Sequence, residues 1–454
     1  MPAALVLALA LAGSQARPAR PAAPPDLAHA LLAAVRSAGL DALVDAGPAE
    51  GGCPTGPGCP RPLPPIAAAP HLDVAVIRLD AAGRAIEAAD VQLAPDQPDG
   101  RIVPLGRDLA VRGVRFRRWA QDRREAGAAA PPFQDGDDVA PPRRRDPVPG
   151  PPARAARDFM APYPASVFKL LVAFHVVRRA AEGALSLGLP VADGPGPDAE
   201  LRPLDAWLEA MITRSDNRAT RAILRHLHAR GEVDRMNADL AALGLGTLRV
   251  EGTSPEDGGR WAPGEVNVTA MDAARLLWLV AGGPGVLWRA PDGRPVTRAV
   301  LPEPARARLL ALLADQGMHD VLSSGSVCGA RPDGIPAVIP RRFVDPVTGR
   351  ETVGDLAYGR DVRPCEAAAE VRFLHKTGRT WNFAADAGLV ESLPGRPFRR
   401  YVIVLLATAG SRYLDPESAA APLHPCDAEK LCVSAAIARI GAAVDGYAVA
   451  AARR

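Results

Sequence analysis

The sequence predicts a mixed α/β fold of the α+β type, in which an antiparallel sheet flanked by helices is combined with an all-helical domain. Short apolar runs with strand character occur near both ends of the chain, at residues 74–79 and 401–406. Residues 160–320 are instead dominated by apolar positions at helical spacing. With 454 residues, the chain is long enough to hold two such units.

The elements follow in order along the chain. Apolar patterns and turn residues predict an amphipathic helix at 27–44, a hairpin formed by 74–79 and the segment after Gly83, a strand at 371–374, two paired strands at 387–390 and 401–406 joined by a turn at 394–395, and a final helix at 427–449. The divisions that we expect are a signal peptide at 1–16, the N-terminal helix and first strands at 17–90, a long Arg-, Pro- and Asp-rich loop insert at 91–156, a mainly helical unit at 157–320, a Cys-containing insert at 325–370, and the remaining strands and last helix at 371–454.

Lysine is almost absent from the chain, because three lysines stand against 51 arginines. Arginine cannot lose its proton in a protein, whereas lysine can. A lysine retained in so arginine-rich a chain therefore indicates a task that needs an ammonium able to give up a proton. Two of the three lysines, Lys169 and Lys376, stand in short motifs that suit such chemistry.

The first motif is Ser-Val-Phe-Lys at 166–169, at the start of an apolar helical segment. Residues three apart on a helix share a face, so the amine of Lys169 can reach the hydroxyl of Ser166. Burial in an apolar helix lowers the pKa of a lysine, because it penalises the charged form. A neutral Lys169 could then accept the proton of Ser166, which would make Ser166 a nucleophile.

Two further motifs follow in order. Ser-Asp-Asn at 215–217 stands between two helical segments, 204–212 and 219–227, and is predicted to form a short loop. His-Lys-Thr-Gly at 375–378 ends the predicted strand 371–374.

Ser-x-x-Lys, Ser-Asp-Asn and Lys-Thr-Gly in this order resemble the signature set of class A β-lactamases and related penicillin-binding serine peptidases. Residues 207–217 and 269–277 are similar to the family's helices before the Ser-Asp-Asn loop and after the omega loop, and Asp386 falls where the family often has an acidic residue. The resemblance covers roughly 26–90 and 157–454. It implies one sheet-and-helix domain built from both chain ends, with the active site between it and the helical domain.

The resemblance also implies the roles of the motif residues. Ser166 would attack a carbonyl carbon with Lys169 as base, and Ser215 would relay a proton to the leaving nitrogen with help from Lys376. The remaining substrate-binding residues would be Asn217 for a substrate amide, Lys376 and Thr377 for a carboxylate, Gly378 in the same strand, and Arg379 through its backbone N–H in the oxyanion hole. No cofactor and no metal are expected.

One departure from the family concerns deacylation. Class A β-lactamases carry a water-activating Glu in an Arg-Trp-Glu-Pro pattern, and this chain has Arg-Trp-Ala-Pro at 260–263. Glu265 could replace this Glu only if the loop had a shifted register relative to the family's pattern, because a general base must lie within reach of the water that it activates. Three functions stay open: a β-lactamase-like hydrolase, a D-alanyl-D-alanine peptidase or transpeptidase, and a binding, sensor or scaffold protein without turnover.

The chain ends and cysteines predict export. An uncharged apolar run at 3–12, followed by Ser-Gln-Ala at 14–16, indicates a signal peptide cleaved after Ala16 and a secreted or periplasmic protein without membrane insertion. Six cysteines allow fifteen pairings, and sequence proximity favours Cys53–Cys59, Cys328–Cys365 and Cys426–Cys432. The net charge of +3 is too mild to indicate nucleic acid, so the expected partner is a small β-lactam or a D-Ala-D-Ala peptide.

Overall fold

The computed structural model describes residues 26–46, 62–117, 157–259, 261, 263–329, 334–416 and 433–453. The α-helices in this part are α1 (Leu27–Ser37), α2 (Lys169–Ala181), α3 (Leu204–Thr213), α4 (Asn217–His228), α5 (Glu232–Ala242), α6 (Ala270–Ala281), α7 (Glu303–Ala314), α8 (Arg363–Ala368) and α9 (Ala435–Ala452). The strands are β1 (Val44–Asp45), β2 (Leu72–Leu79), β3 (Ala85–Ala94), β4 (Gln97–Ile102), β5 (Val114–Arg117), β6 (Arg157–Met160), β7 (Pro190–Ala192), β8 (Leu201–Pro203), β9 (Arg249–Val250), β10 (Val266–Asn267), β11 (Val286–Arg289), β12 (Pro295–Thr297), β13 (Arg350–Val353), β14 (Leu356–Asp361), β15 (Val371–Arg379), β16 (Ala384–Ser392), β17 (Arg400–Ala407) and β18 (Tyr413–Leu414).

A six-stranded antiparallel sheet joins the two ends of the chain. Its order is β15-β16-β17-β2-β3-β4, so strands from the C-terminal part lie next to strands from the N-terminal part. The paired strands predicted around the turn at 394–395 are β16 and β17, and the predicted hairpin is β2 and β3. The predicted α+β fold is therefore confirmed.

Helices cover both faces of the sheet because its central strands are apolar on both sides. Along β2, Val74 and Val76 pack into a core with α1 and α9, whereas Ala75 and Ile77 pack into the core shared with α6 and the middle helices. Alternate side chains of a strand point to opposite faces, so one continuous apolar strand serves two cores. The second core is the larger, and it extends from the sheet through α2 to α7.

Three predicted elements have different bounds in the structure. The N-terminal helix ends at Ser37, because Gly39 adopts a left-handed φ of 82°, and a 3₁₀ turn follows at Leu40–Ala42. The predicted loop insert at 91–156 holds the end of β3 and all of β4 and β5; β4 is a partly exposed edge strand whose polar sequence carries no apolar signal. The final helix begins at Ala435, after Ser434 caps it. Residues 118–156 and 427–432 lie outside the described residues.

The last helix bears on the expected absence of membrane insertion. By length and composition alone, α9 is apolar enough to cross a membrane. Half of its residues are buried in the protein, however, where it packs against α1 and the sheet. Its apolar character is accounted for by core packing.

One predicted disulfide lies within the described residues, and it is confirmed. Cys328 and Cys365 are bonded, with their Cα atoms 5.8 Å apart, and they tie the segment after α7 to α8. The other two predicted pairs, Cys53–Cys59 and Cys426–Cys432, lie outside the described residues, as does the predicted signal peptide.

Two buried carboxyl groups lie side by side in the sheet. Asp73 on β2 accepts hydrogen bonds from Gln92 Nε2 (3.3 Å) and from the N–H of Ala270 at the start of α6 (2.8 Å). Burial raises the pKa of Asp73 to about 6; burial and the charge of Asp73 raise the pKa of Asp90 well above its usual range. At these two carboxyl groups the folded state therefore binds more protons than the unfolded state. The free energy of unfolding falls as pH rises from about 4, the ordinary pKa of an aspartate, through the raised pKa values of the folded state.

Replacing Asp90 by asparagine is expected to stabilise the protein above neutral pH. The amide cannot ionise and can donate to Asp73, so at pH 8 the variant should unfold with a larger free energy than the wild type. At pH 4, where both carboxyl groups are protonated, the two proteins should be nearly equal. Urea unfolding at both pH values measures this; an Asn variant that is less stable at pH 8 would contradict it.

Candidate active site

Ser166 lies in a single 3₁₀ turn rather than in the α-helix itself. The turn runs from Ala165 to Phe168, and α2 begins at Lys169. Side chains three apart eclipse one another in a 3₁₀ turn, so Ser166 and Lys169 lie on the same side of the chain. Ala165 has a φ of 45°, which is strained for a residue with a Cβ and places the strain directly before Ser166.

Lys169 connects the nucleophile turn to the Ser-Asp-Asn loop. Its Nζ donates to the backbone oxygen of Ser215 (2.6 Å) and to Asn217 Oδ1 (2.7 Å), and it lies 3.3 Å from Ser215 Oγ. The loop is fixed because Asp216 caps α4 by accepting from the N–H of Ala219 at 3.0 Å. Ser215 has a left-handed φ of 58°, a second strained position in the site.

Lys376 reaches the same hydroxyl from the sheet. Its Nζ donates to Ser215 Oγ (3.0 Å) and to the backbone oxygen of Thr377 (2.8 Å). The hydroxyl of Ser215 thus lies between the amines of Lys169 and Lys376. The structure brings together residues from three motifs that are far apart in the sequence.

Both amines are fully buried, and this weakens their hold on protons. Burial, followed by the charge of Lys376, lowers the pKa of Lys169 well below its usual range. Burial lowers the pKa of Lys376 to about 7. Burial of both amines, together with the effect of the Lys376 charge on Lys169, makes a neutral amine available near neutral pH. A neutral amine beside the Ser215 hydroxyl can accept a proton, and a protonated amine there can donate one.

Gly378 brings the sheet into contact with the nucleophile turn. A Cβ at this position would lie 2.5 Å from the backbone oxygen of Pro164 and 2.8 Å from the nitrogen of Ser166. Only glycine allows this close approach of the two backbones. The end of β15 therefore lies directly beside Ser166.

The edge position of β15 leaves backbone N–H groups directed away from the sheet. Val371 bonds to Pro336 and Val338 on the side away from β16, and the register from Val371 to Arg379 is unbroken. Alternate residues of a strand direct their N–H groups to the same side. The N–H of Arg379 therefore points to the side of β15 away from β16, next to the Gly378–Ser166 contact.

A family model described as "Beta-lactamase enzyme family" matches residues 160–444, which is more than half of the chain. The chain belongs to this family. No curated protein matches it. Similar solved structures include PBP-A and a point mutant of PBP-A in an acyl-enzyme complex with penicillin-G (each 18% identity, 62% of this chain and 80% of that chain, TM-score 0.37). They also include a beta lactamase from Xanthomonas campestris pv. campestris (14% identity, 83% and 91%, TM-score 0.41) and an ancestral class A beta-lactamase (19% identity, 63% and 85%, TM-score 0.37).

In this β-lactamase family member, the loop before α6 contacts the nucleophile turn through Trp261. The backbone oxygen of Trp261 accepts a hydrogen bond from the hydroxyl of Tyr163, and its ring lies 5.7 Å from that of Phe168. The guanidinium of Arg221 lies over the same ring at 5.6 Å. Arg260 and Ala262, on either side of Trp261 in the sequence, lie outside the described residues.

Glu265 lies directly before β10. Its side-chain stem packs over Gly252, where an added Cβ would be 2.8 Å from Glu265 Cγ, and its backbone oxygen accepts from Glu251 N–H at 2.7 Å. Both of these contacts are with residues of the β9–β10 region. Its catalytic role stays a prediction.

Two residues in contact with the predicted site, Met318 and Asp320, carried no signal in the sequence. Thr377 Oγ1 contacts Met318 Sδ at 3.8 Å, and the Arg379 guanidinium pairs with Asp320. The acidic residue noted near the third motif, Asp386, bonds to His375 Nδ1 at 2.8 Å within the sheet. Met318 and Asp320 belong to no motif, so only their contacts in the fold identify them.

Proposed function

We propose that this member of the β-lactamase family is a serine hydrolase that is acylated at Ser166 by β-lactam amides and deacylates slowly. The observation that carries the proposal is the convergence of the amines of Lys169 and Lys376 on Ser215 Oγ, beside a nucleophile turn in contact with Gly378. Acyl transfer to serine needs a base for the nucleophile and a proton donor for the leaving group, and Lys169 and Ser215 are the proposed base and donor.

The proposed reaction follows from these contacts. Ser166 Oγ attacks the lactam carbonyl carbon as its proton passes to the amine of Lys169. The carbonyl oxygen becomes negative and is held by the N–H groups of Ser166 and Arg379. The C–N bond then breaks, and the nitrogen takes the proton of the Ser215 hydroxyl, which is hydrogen-bonded to Lys376 and is reprotonated from it.

Substrate recognition is proposed to involve the edge strand and the Ser-Asp-Asn loop. Lys376 and Thr377 would bind the carboxylate of the substrate, and Asn217 would bind an amide. The proposal also includes export of the chain after cleavage behind Ala16, which N-terminal sequencing of the protein secreted by a bacterial host would test.

A second candidate is a D-alanyl-D-alanine peptidase or transpeptidase acting on peptidoglycan stem peptides. The sequence Arg-Trp-Ala-Pro at 260–263 favours it, because such an enzyme uses the same acylation residues without the omega-loop Glu. A third candidate is a protein that is acylated and stays so, as a binding or sensor protein would.

Intact mass against time after addition of penicillin G separates these functions. We expect a rapid shift by the mass of one penicillin that decays over minutes to hours, and peptide mapping that places the adduct on Ser166. Ser166→Ala should give no adduct. An adduct that persists, together with release of D-alanine from an acyl-D-Ala-D-Ala peptide, would favour the peptidase. No adduct on the wild type with either ligand would remove Ser166 as nucleophile.

A further inference from the structure

The residue that presents the oxyanion N–H is held by its side chain as well as by the sheet. The Arg379 guanidinium pairs with the buried carboxylate of Asp320, and it lies 3.7 Å from Met318 Sδ. Asp320 is fully buried, and the Arg379 side chain is only 6% exposed. A buried, charge-assisted pair of this kind fixes direction as well as distance.

A third group in this cluster comes from the insert between α7 and β15. The hydroxyl of Tyr358, on β14, donates to Asp320 Oδ2 at 2.8 Å. Burial raises the pKa of Tyr358 well above its usual range, so the hydroxyl stays a donor at neutral pH. Tyr358 is 3% exposed, so water competes little for this bond. Tyr358, Asp320 and Arg379 thus form one buried cluster, in which Tyr358 contacts both the Asp320 carboxylate and the Arg379 side chain.

The insert is itself anchored near the catalytic residues. Val353 and Phe343 pack closely against Gly317, whose N–H donates to the backbone oxygen of Thr213, two residues before Ser215. The disulfide Cys328–Cys365 closes the insert on its other side. The insert is therefore fixed both to the end of α3 and to the end of β15.

We propose that Tyr358 is a positioning residue for acyl transfer, which acts through Asp320 and Arg379 to hold the oxyanion N–H in place. The inference rests on the proposed function of Ser166. It assigns a catalytic purpose to the insert at 325–370. Loss of the Tyr358 hydroxyl leaves the buried Asp320 carboxylate short of a donor, and the Arg379 guanidinium must shift to compensate. That shift displaces the backbone N–H of Arg379 from the position where negative charge develops in the transition state. The bound ground state, which lacks this charge, is little affected.

The test is Tyr358→Phe, which removes one oxygen atom, compared with Tyr401→Phe. Tyr401 is a matched control because its buried hydroxyl also donates to an aspartate, Asp445, at 3.0 Å, on the face of the sheet away from the site. Stopped-flow acylation by the chromogenic cephalosporin nitrocefin, at rising concentration, gives the acylation rate constant and the dissociation constant of the non-covalent complex separately. Thermal unfolding of both variants measures the structural cost.

We expect Tyr358→Phe to lower the acylation rate constant about tenfold, a fraction of the loss caused by deleting a whole oxyanion donor, with the dissociation constant unchanged within about twofold. Tyr401→Phe should lower the unfolding temperature similarly and leave the acylation rate constant unchanged. Asp320→Asn acts at the next contact and serves as the test if Tyr358→Phe does not fold. It should also lower the acylation rate constant while leaving the dissociation constant unchanged. Equal acylation rate constants in the wild type and the Tyr358 variant, or equal losses in both tyrosine variants, overturn the positioning role alone. A wild type that nitrocefin does not acylate overturns it together with the proposed function.

Discussion

Replacing Lys169 by arginine is expected to lower the rate of Ser166 acylation by about 10³-fold, within the range that a general base contributes. Arginine keeps the positive charge but cannot accept a proton at any accessible pH. The amine of Lys169 is fully buried, and its neutral form is favoured by that burial and by the charge of Lys376. The measurement is the single-turnover rate of adduct formation with penicillin G, followed by mass.

Two further variants separate base chemistry from packing. Lys169→Met removes the amine but nearly keeps its volume, so it should be as inactive as Lys169→Arg. Its unfolding temperature should stay close to that of the wild type, because the relief from burying an amine is offset by the lost hydrogen bonds to Ser215 O and Asn217 Oδ1. Lys376→Arg should be milder, about tenfold, because Lys376 acts as a donor to Ser215 Oγ and Thr377 O. If the two arginine variants acylated equally well, Lys169 would not be the base.

The motif residues were predictable because their spacing reflects chemistry that local structure can provide. Ser166 and Lys169 are three apart, the Ser-Asp-Asn loop precedes a capped helix, and Lys376 stands on an apolar strand. Each of these is a local feature that periodicity and turn residues indicate. What the spacing could not specify is the contact between motifs, such as the shared hydroxyl of Ser215, because that depends on the fold as a whole.

The insert and the edge of the sheet were harder to predict for a different reason. Tyr358 and Asp320 come from segments without an apolar period, and their role appears only when both meet Arg379. The edge strand β4 is polar because solvent covers one side, so its sequence resembles a loop. The paired carboxyl groups of Asp73 and Asp90 stand on neighbouring strands whose register the sequence does not reveal.

Hydrolysis of the acyl-enzyme is expected to be slow in the wild type and to rise about 10²-fold in Ala262→Glu, since a positioned general base contributes 10² to 10⁴. Class A β-lactamases have a glutamate at this place in the pattern, and this chain has alanine. The adjacent Trp261 contacts Phe168 and accepts a hydrogen bond from Tyr163, so the loop lies against the nucleophile turn. Decay of the penicillin adduct, measured by intact mass, gives the rate directly.

Ala262→Gln is the matched control, because glutamine has the size of glutamate without its basicity, and it should leave deacylation unchanged. Glu265→Gln should also change the rate less than about twofold, because the stem of Glu265 packs over Gly252 in the β9–β10 region. A 10²-fold loss in Glu265→Gln would instead make Glu265 the base. Rapid penicillin turnover in the wild type that survives Glu265→Gln would contradict both mechanisms, and it would leave the neutral amine of Lys169, already beside Ser215, as the group that activates the water.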